Sequence, residues 1–401
     1  MGQGIRLGRL FGIAIHLDWS LLIVFGLIVV SLGAGSFPYL HPAWAATTTW
    51  STALVAAVLF FASVLAHELS HALVGRGYGI RVPRITLFVF GGLAQMENEP
   101  GHWRGELWMA LAGPAASLLL GAAFLLLASL VIGPGGFDPD QPRESLAALS
   151  PLATLLMWLG PINIILGLFN LVPGFPLDGG RVLRAIMWGL TGDLRRATRW
   201  ASRGGQAFAW LLIATGVAMI LGAEVPLFGR GPISGLWLAF IGWFLNNAAL
   251  SSYQQLLVRE SLHGVAVSRL MRTDLVSVAP DLAVAALVED HLLRGGQRAF
   301  PVVAAGGRLR GLVTMSDVRE RERSAWEGLT VAGVMTPADQ LATVAPGDDA
   351  FDAMMKLTRA GVDQLPVVEG GRLRGLIRRR DLLTWLSVYG DPSLARELGE
   401  G

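Results

Sequence analysis

The sequence contains no cysteine. That absence excludes a disulfide scaffold, a thiolate metal site and a cysteine nucleophile. Charge is scarce as well. Charged residues make up 15% of the 401, against about 25% in a soluble domain, so the chain is not one water-soluble globule. Lysine is nearly missing: of 32 basic residues only Lys356 is lysine, a bias that reads as genome composition rather than chemistry. The formal net charge of +2 offers no basic surplus for nucleic acid. Fifty glycines without a three-residue period exclude collagen, and a hydrophobic content of 53% excludes disorder.

The scarce charge is unevenly spread. Residues 1–255 hold 14 arginines and 11 acidic residues, whereas the shorter stretch 256–401 holds 18 basic and 19 acidic residues. The first part is therefore solvated by lipid and the second is soluble. Apolar runs of spanning length, about 20 residues, occur near 19–36, 52–75, 107–133, 152–173, 206–223 and 232–250. Alternate loops carry most of the arginines: Arg6 and Arg9, then Arg76, Arg81, Arg84 and Arg104, then Arg181, Arg184, Arg195, Arg196, Arg199 and Arg203. The opposite loops hold Arg143 and Arg230. The positive-inside bias puts both termini, and the soluble part, in the cytoplasm of a multi-pass cell-membrane protein. Between the second and third runs, Ile80 to Pro100 is rich in β-branched and aromatic residues and broken by Gly91-Gly92. It predicts a membrane-associated β-hairpin, sheltered in protein or a wet cavity because exposed backbone cannot face lipid. Such a strand edge could accept an extended peptide.

Ionisable side chains inside a span are costly and point to function. The second run holds three together, His67, Glu68 and His71, in LAHELSHALVG. At i and i+4 the two imidazoles share a helix face and can chelate one metal ion, with Glu68 placed as general base. From this composition, chance gives roughly 0.004 such H-E-x-x-H matches. The bland alternative is a pair of satisfied buried histidines. A catalytic zinc needs a third protein ligand and one open position. No third histidine follows the motif. Asp178, in NLVPGFPLDGGRV, ends a span among helix breakers and is the leading candidate, although a helix-capping role is open to it. His16, His41, His102, His263 and His291 are weaker candidates: His16, just before the first run, reads as structural, and His102 with Trp103 as an interface anchor. Asn163 reads as interhelical packing glue.

These residues resemble the site-2 protease family of intramembrane zinc metalloproteases. The matching pieces are His67-Glu68-Leu69-Ser70-His71, Ala112-Gly113-Pro114, Asn170-Leu171-Val172-Pro173 and Leu177-Asp178-Gly179-Gly180. The resemblance covers residues 1 to about 250. It implies that His67, His71 and Asp178 bind one zinc ion, that Glu68 activates water, and that Asn170 polarises the scissile carbonyl or stabilises the oxyanion. It also implies that the Gly91-Gly92 hairpin engages substrate by strand addition. The substrate class implied is a single-span regulatory protein or a remnant signal peptide.

The remainder repeats itself at about 64 residues. Met271-Arg272-Thr273 recurs as Met335-Thr336-Pro337, the Pro301-Val302-Val303 run as Pro366-Val367-Val368, and Gly-Arg-Leu-Arg-Gly-Leu from Gly307 again from Gly371. Each copy reads as helix, strand, helix, strand, strand, helix. The pair resembles a tandem of cystathionine-β-synthase (CBS) domains, which implies adenine-nucleotide sensing, ATP among the ligands, and a homodimer through the pair. The family's G-h-h-T-x-x-D run stands here as Gly311 to Asp317, with Thr314 and Asp317 as nucleotide contacts. In the second copy Asp381 is kept but Arg378 replaces the threonine. A dimerisation module without ligand remains open beside this reading.

The sequence thus predicts a multi-span α-helical membrane protein of about six spans with a β-hairpin, joined to a cytoplasmic α/β tandem. The divisions are a protease domain over 1–255, a linker over 256–263, CBS copies over 264–326 and 327–390, and a tail over 391–401. The function expected is hydrolysis of peptide bonds in or near the membrane span of a regulatory protein. The runner-up is a CBS-regulated ion transporter or channel.

Overall fold

The computed structural model describes residues 4–89, 91–96, 100–136, 138, 140–225, 231–293 and 297–390. Arg230 and the 391–401 tail lie outside the described residues. The chain divides into two compact units, Met1–Tyr253 and Gln254–Gly401.

Six helices of the described chain are long and apolar enough to span a membrane: Trp19–Leu40, Ala46–Gly77, Trp103–Ile132, Pro151–Asn170, Leu194–Ile220 and Pro232–Leu262. They are called here the first to the sixth span. Local chemistry sets their starts. Asp18 caps the first by accepting from the Ser20 amide at 2.9 Å, Ser150 caps the fourth through the Ala153 amide, and Asp193 caps the fifth through the Arg196 amide at 2.9 Å. His102 accepts from the Arg104 amide at 3.1 Å, so this histidine caps the third span as well as flanking Trp103. The fifth helix starts at Leu194, twelve residues before the apolar run. Its first turns are amphipathic, and residues such as Arg196 and Arg199 read as loop when only apolar length is counted. The sixth likewise continues through residues 251–262, so the stretch read as linker is helical to Leu262. Third and fourth spans pack closely: a Cβ added to Gly121 would stand 2.8 Å from the Gly160 carbonyl oxygen. Small residues are what let apolar helices approach this far.

The hairpin expected over 80–100 is present as strands β3 (Arg84–Phe88) and β4 (Gly91–Gln95), paired antiparallel. It belongs to a larger sheet. An N-terminal hairpin, β1 (Ile5–Leu10) and β2 (Ile13–Leu17), joins it through a parallel β2–β3 pairing, giving the order β1-β2-β3-β4. Ile13, Ile15, Ile85 and Leu87 are buried and pack with Val64 and Ala72 of the second span and Met109 of the third. The sheet is thereby fixed against the helices that carry the site.

In the second unit the two copies match strand for strand. Strands β5 (Ala299–Ala304) and β6 (Arg308–Thr314) pair antiparallel, β7 (Thr336–Pro337) adds to β6, and β8 (Gln364–Glu369) pairs with β9 (Arg372–Arg378). The order is β5-β6-β9-β8. Register shifts fall at Val302/Val303 and Val367/Val368, the same place in each hairpin. Each copy has its own core, one around Phe300, Val313 and Val318 and the other around Leu365, Ile377 and Leu382. The first strand expected in each copy is reduced to a single parallel bridge, Val278 to Val302 and Val344 to Val367.

Candidate metal centre

The second span presents His67 and His71 one turn apart, with their Nε2 atoms 3.2 Å from each other. Asp178 is the first residue of the short helix Asp178–Thr191, which follows a turn after the fourth span. Its Oδ2 lies 3.0 Å from both Nε2 atoms. Among the described residues this is the group of histidine and acidic side chains placed to hold a metal ion.

The third span supplies the surroundings. His71 Nδ1 lies 2.6 Å from the Met109 carbonyl oxygen, and His67 Nδ1 lies 2.9 Å from Ser117 Oγ, which is buried. A carbonyl only accepts, so the His71 Nδ1–H donates and its Nε2 presents a lone pair. Between them stands Gly113, where a Cβ would come within 2.2 Å of His71 Nε2 and 2.6 Å of His67 Nε2. Met109, Gly113 and Ser117 recur every fourth residue, so one face of one helix provides acceptor, space and hydroxyl.

This donor set fits zinc. Three lone-pair atoms face one another at 3.0–3.2 Å, and without a shared proton or cation they repel. A tetrahedral site with bonds of about 2.0–2.1 Å has edges of about 3.3 Å. The Met109 carbonyl holds His71 in the tautomer such an ion requires, and the Ser117 hydroxyl is able to accept from His67 Nδ1–H in the same sense.

Glu68 lies against the sheet: a Cβ on Gly92 would fall 2.2 Å from Glu68 Cγ. The glycine of β4 is what leaves room for this carboxylate. Asn170 closes the fourth span, and its amide donates back to the Leu166 carbonyl at 2.9 Å. Asn163 is fully buried and donates to the Leu159 carbonyl of its own helix; that bond ties it to its own turn rather than across to a neighbour.

Sequence reasoning missed a second tie on the aspartate helix. Arg184, two turns after Asp178, donates through Nε to Glu106 Oε1 at 2.7 Å and also through Nη2. Glu106 is fully buried at the start of the third span, and Arg184 also lies over the Phe175 ring. The available signal was Glu106 itself, an acid four residues past His102 in an otherwise apolar run.

In the second unit Thr314 and Asp317 form a reciprocal capping box at the end of β6. At the equivalent place at the end of β9 Asp381 accepts from the Arg378 amide and guanidinium, and the arginine, having no acceptor, caps nothing in return. An open cleft elsewhere in the unit is lined by Thr273, Ser277, Ala304, Gly307, Arg374 and Gly375.

Residues 55–212 match peptidase family M50, and 267–324 and 331–388 each match the CBS domain. The chain is 34% identical over 392 residues to a candidate zinc metalloprotease of Synechocystis, covering 97% of each protein. The chain belongs to peptidase family M50. Two further relatives of this M50 peptidase are alike over nearly their whole length. The candidate zinc metalloprotease Rip3 of Mycobacterium tuberculosis is 32% identical, over 97% of this chain and 94% of that protein. A zinc metalloprotease of Methanocaldococcus jannaschii is 28% identical over 97% of each. This M50 peptidase is therefore a site-2-protease-like intramembrane zinc metalloprotease fused to a CBS pair, and its His-His-Asp triad is consistent with one catalytic zinc. Membership sets aside the transporter reading.

Proposed function

We propose that His67, His71 and Asp178 hold the catalytic zinc and that Glu68 is the general base of peptide-bond hydrolysis within the membrane. The observation that carries this is the convergence of three lone-pair atoms at 3.0–3.2 Å in a nearly buried site. Bound zinc supplies Lewis acidity, polarising the scissile carbonyl and lowering the pKa of water. Glu68 takes the proton from the attacking water as its oxygen bonds to the carbonyl carbon. It returns that proton to the amine nitrogen as the carbon–nitrogen bond breaks. Asn170 stabilises the charge on the carbonyl oxygen, which requires its amide to exchange the Leu166 carbonyl for substrate.

The substrate is a membrane-spanning regulatory protein. Its helix hides its peptide bonds and must unwind to be cut. Strand β4 is an edge of the sheet and lies beside Glu68, so an extended segment pairing there would be drawn past the general base. The protease domain occupies 1–255 and the CBS copies 264–326 and 327–390, with both termini and the CBS pair on the cytoplasmic side, as the arginine-rich loops favour. The CBS pair binds adenine nucleotide, with Thr314 and Asp317 as candidate contacts, and joins two chains in a homodimer.

The test is Glu68→Gln in purified protein, assayed with a model transmembrane peptide and by elemental zinc analysis. Zinc should stay at one per chain while cleavage falls by about 10²–10⁴-fold. Undiminished cleavage by this variant would remove Glu68 from the mechanism.

A further inference from the structure

The Thr314–Asp317 capping box and the Arg378–Asp381 pair, called here the second box, occupy equivalent places. In each, a residue at the end of a strand faces an aspartate at the third position of the next helix. The segment behind is equivalent too. A Cβ on Gly311 would meet the Thr336 carbonyl oxygen at 2.5 Å and Met335 Sδ at 2.6 Å; on Gly375 it would meet the Arg272 carbonyl oxygen at 2.6 Å and Met271 Sδ at 3.0 Å. Position for position, the first box has Thr314 and Thr336 where the second has Arg378 and Arg272.

That exchange inverts the chemistry. Asp317 uses Oδ2 alone, accepting from the Thr314 amide at 2.7 Å and hydroxyl at 2.9 Å, and its Oδ1 has no partner among the described residues. Asp381 spends both oxygens. Oδ2 accepts from the Arg378 amide at 3.2 Å and Nε at 2.9 Å, Oδ1 accepts from Arg378 Nη2 at 2.7 Å, and Arg272 Nε stands 3.7 Å away. The hydrogen bonds to Asp381 hold the Arg378 guanidinium above its ordinary range. A ribose presents neutral hydroxyl donors. They can reach a carboxylate oxygen left open, but they are poor competitors for one held by a bidentate, charge-assisted pair.

We propose that this chain binds one adenine nucleotide, at the Thr314–Asp317 box, and that the Arg378–Asp381 box is closed by its own arginines. The proposal deepens the nucleotide reading given above and rests on it. Asp381 then holds the end of β9 to its helix rather than contacting ligand.

Equilibrium dialysis of the full-length protein in detergent with radiolabelled AMP, ADP and ATP tests it. Wild type should bind one nucleotide per chain. Asp317→Asn, which keeps a capping oxygen, should lower affinity at least tenfold, and Asp381→Asn should leave it within about twofold. The double variant Arg272→Thr/Arg378→Thr, which recreates the first box in the second copy, should bind two. Two nucleotides on wild type, or loss of the single one in Asp381→Asn but not in Asp317→Asn, would overturn the closed box while leaving nucleotide binding intact. No binding of any of the three by wild type would overturn the nucleotide reading itself, and the closed box with it.

Discussion

Asp178 and Asp381 both sit in the first turn of a helix, and both are surrounded by nitrogen. They differ in where the compensating charge comes from. Around Asp178 the near neighbours are two imidazole Nε2 atoms, one with its other nitrogen committed to a backbone carbonyl and the other to a serine hydroxyl. Among the described residues no arginine or lysine is ion-paired to this cluster, and its donor set is consistent with one bound zinc ion. Around Asp381 the guanidinium of Arg378, three residues back, supplies the charge locally. A buried polar site with its charge missing invites a ligand. The same carboxylate with a charge of its own nearby is finished, and becomes structure.

Substitutions can break or sharpen this contrast. The largest effect is expected from Gly113→Ala, which drives a methyl into both imidazoles: zinc by elemental analysis should fall to background and cleavage with it. Retained zinc would mean the helix can shift to make room, and that the centre is less tightly framed than its contacts imply. Next is Arg184→Met, which leaves Glu106 charged, buried and unpaired. A loss of about 3–5 kcal/mol is expected, read from the denaturation midpoint in mixed micelles, and Glu106→Gln/Arg184→Met should regain most of it. Ser117→Ala removes the partner of His67 Nδ1 without touching the donors. Competition against a chelator should show zinc affinity lower by about 10–100-fold; an unchanged value would show that the serine does not orient the ring. The smallest effects belong to the two boxes. Thr314→Ala should cost the α/β unit about 1 kcal/mol as a lost cap. Arg378→Ala, a partly exposed ion pair, should cost less than about 1 kcal/mol and less still in high salt. A larger, salt-insensitive loss at Arg378 would place that pair among the buried ones.

How much was legible followed the same division. His67, Glu68, His71 and Asp178 stood out because ionisable residues in an apolar run are rare and expensive, and the structure does bring the two histidines and the aspartate together. Helix ends were misplaced where amphipathic turns replace apolar ones, as at Leu194 and beyond residue 250. Strands β1 and β2 went unread: the exposed β1, IRLGRL, has no buried face to produce an alternating pattern, and β2 is tied into the sheet by β3, which is remote in sequence. Ser117 and the Met109 carbonyl were invisible for another reason. A serine in a span is common, and a backbone carbonyl has no letter. In the α/β unit the repeat revealed the architecture, and Arg378 stood out as the exchange in the second copy; its tie to Asp381 depends on how the side chain folds back and has no signal in the letters.

The spacing of Met109, Gly113 and Ser117 has a mechanical corollary. Because all three lie on one stripe of one span, each turn of that cylinder about its own axis acts on them together. A twist of a few tens of degrees, well short of the 100° between successive residues, would withdraw both imidazole supports and swing flanking side chains into the gap at residue 113. The imidazole supports of the peptidase and the space at residue 113 are thus gained or lost together in any rigid motion of that one rod.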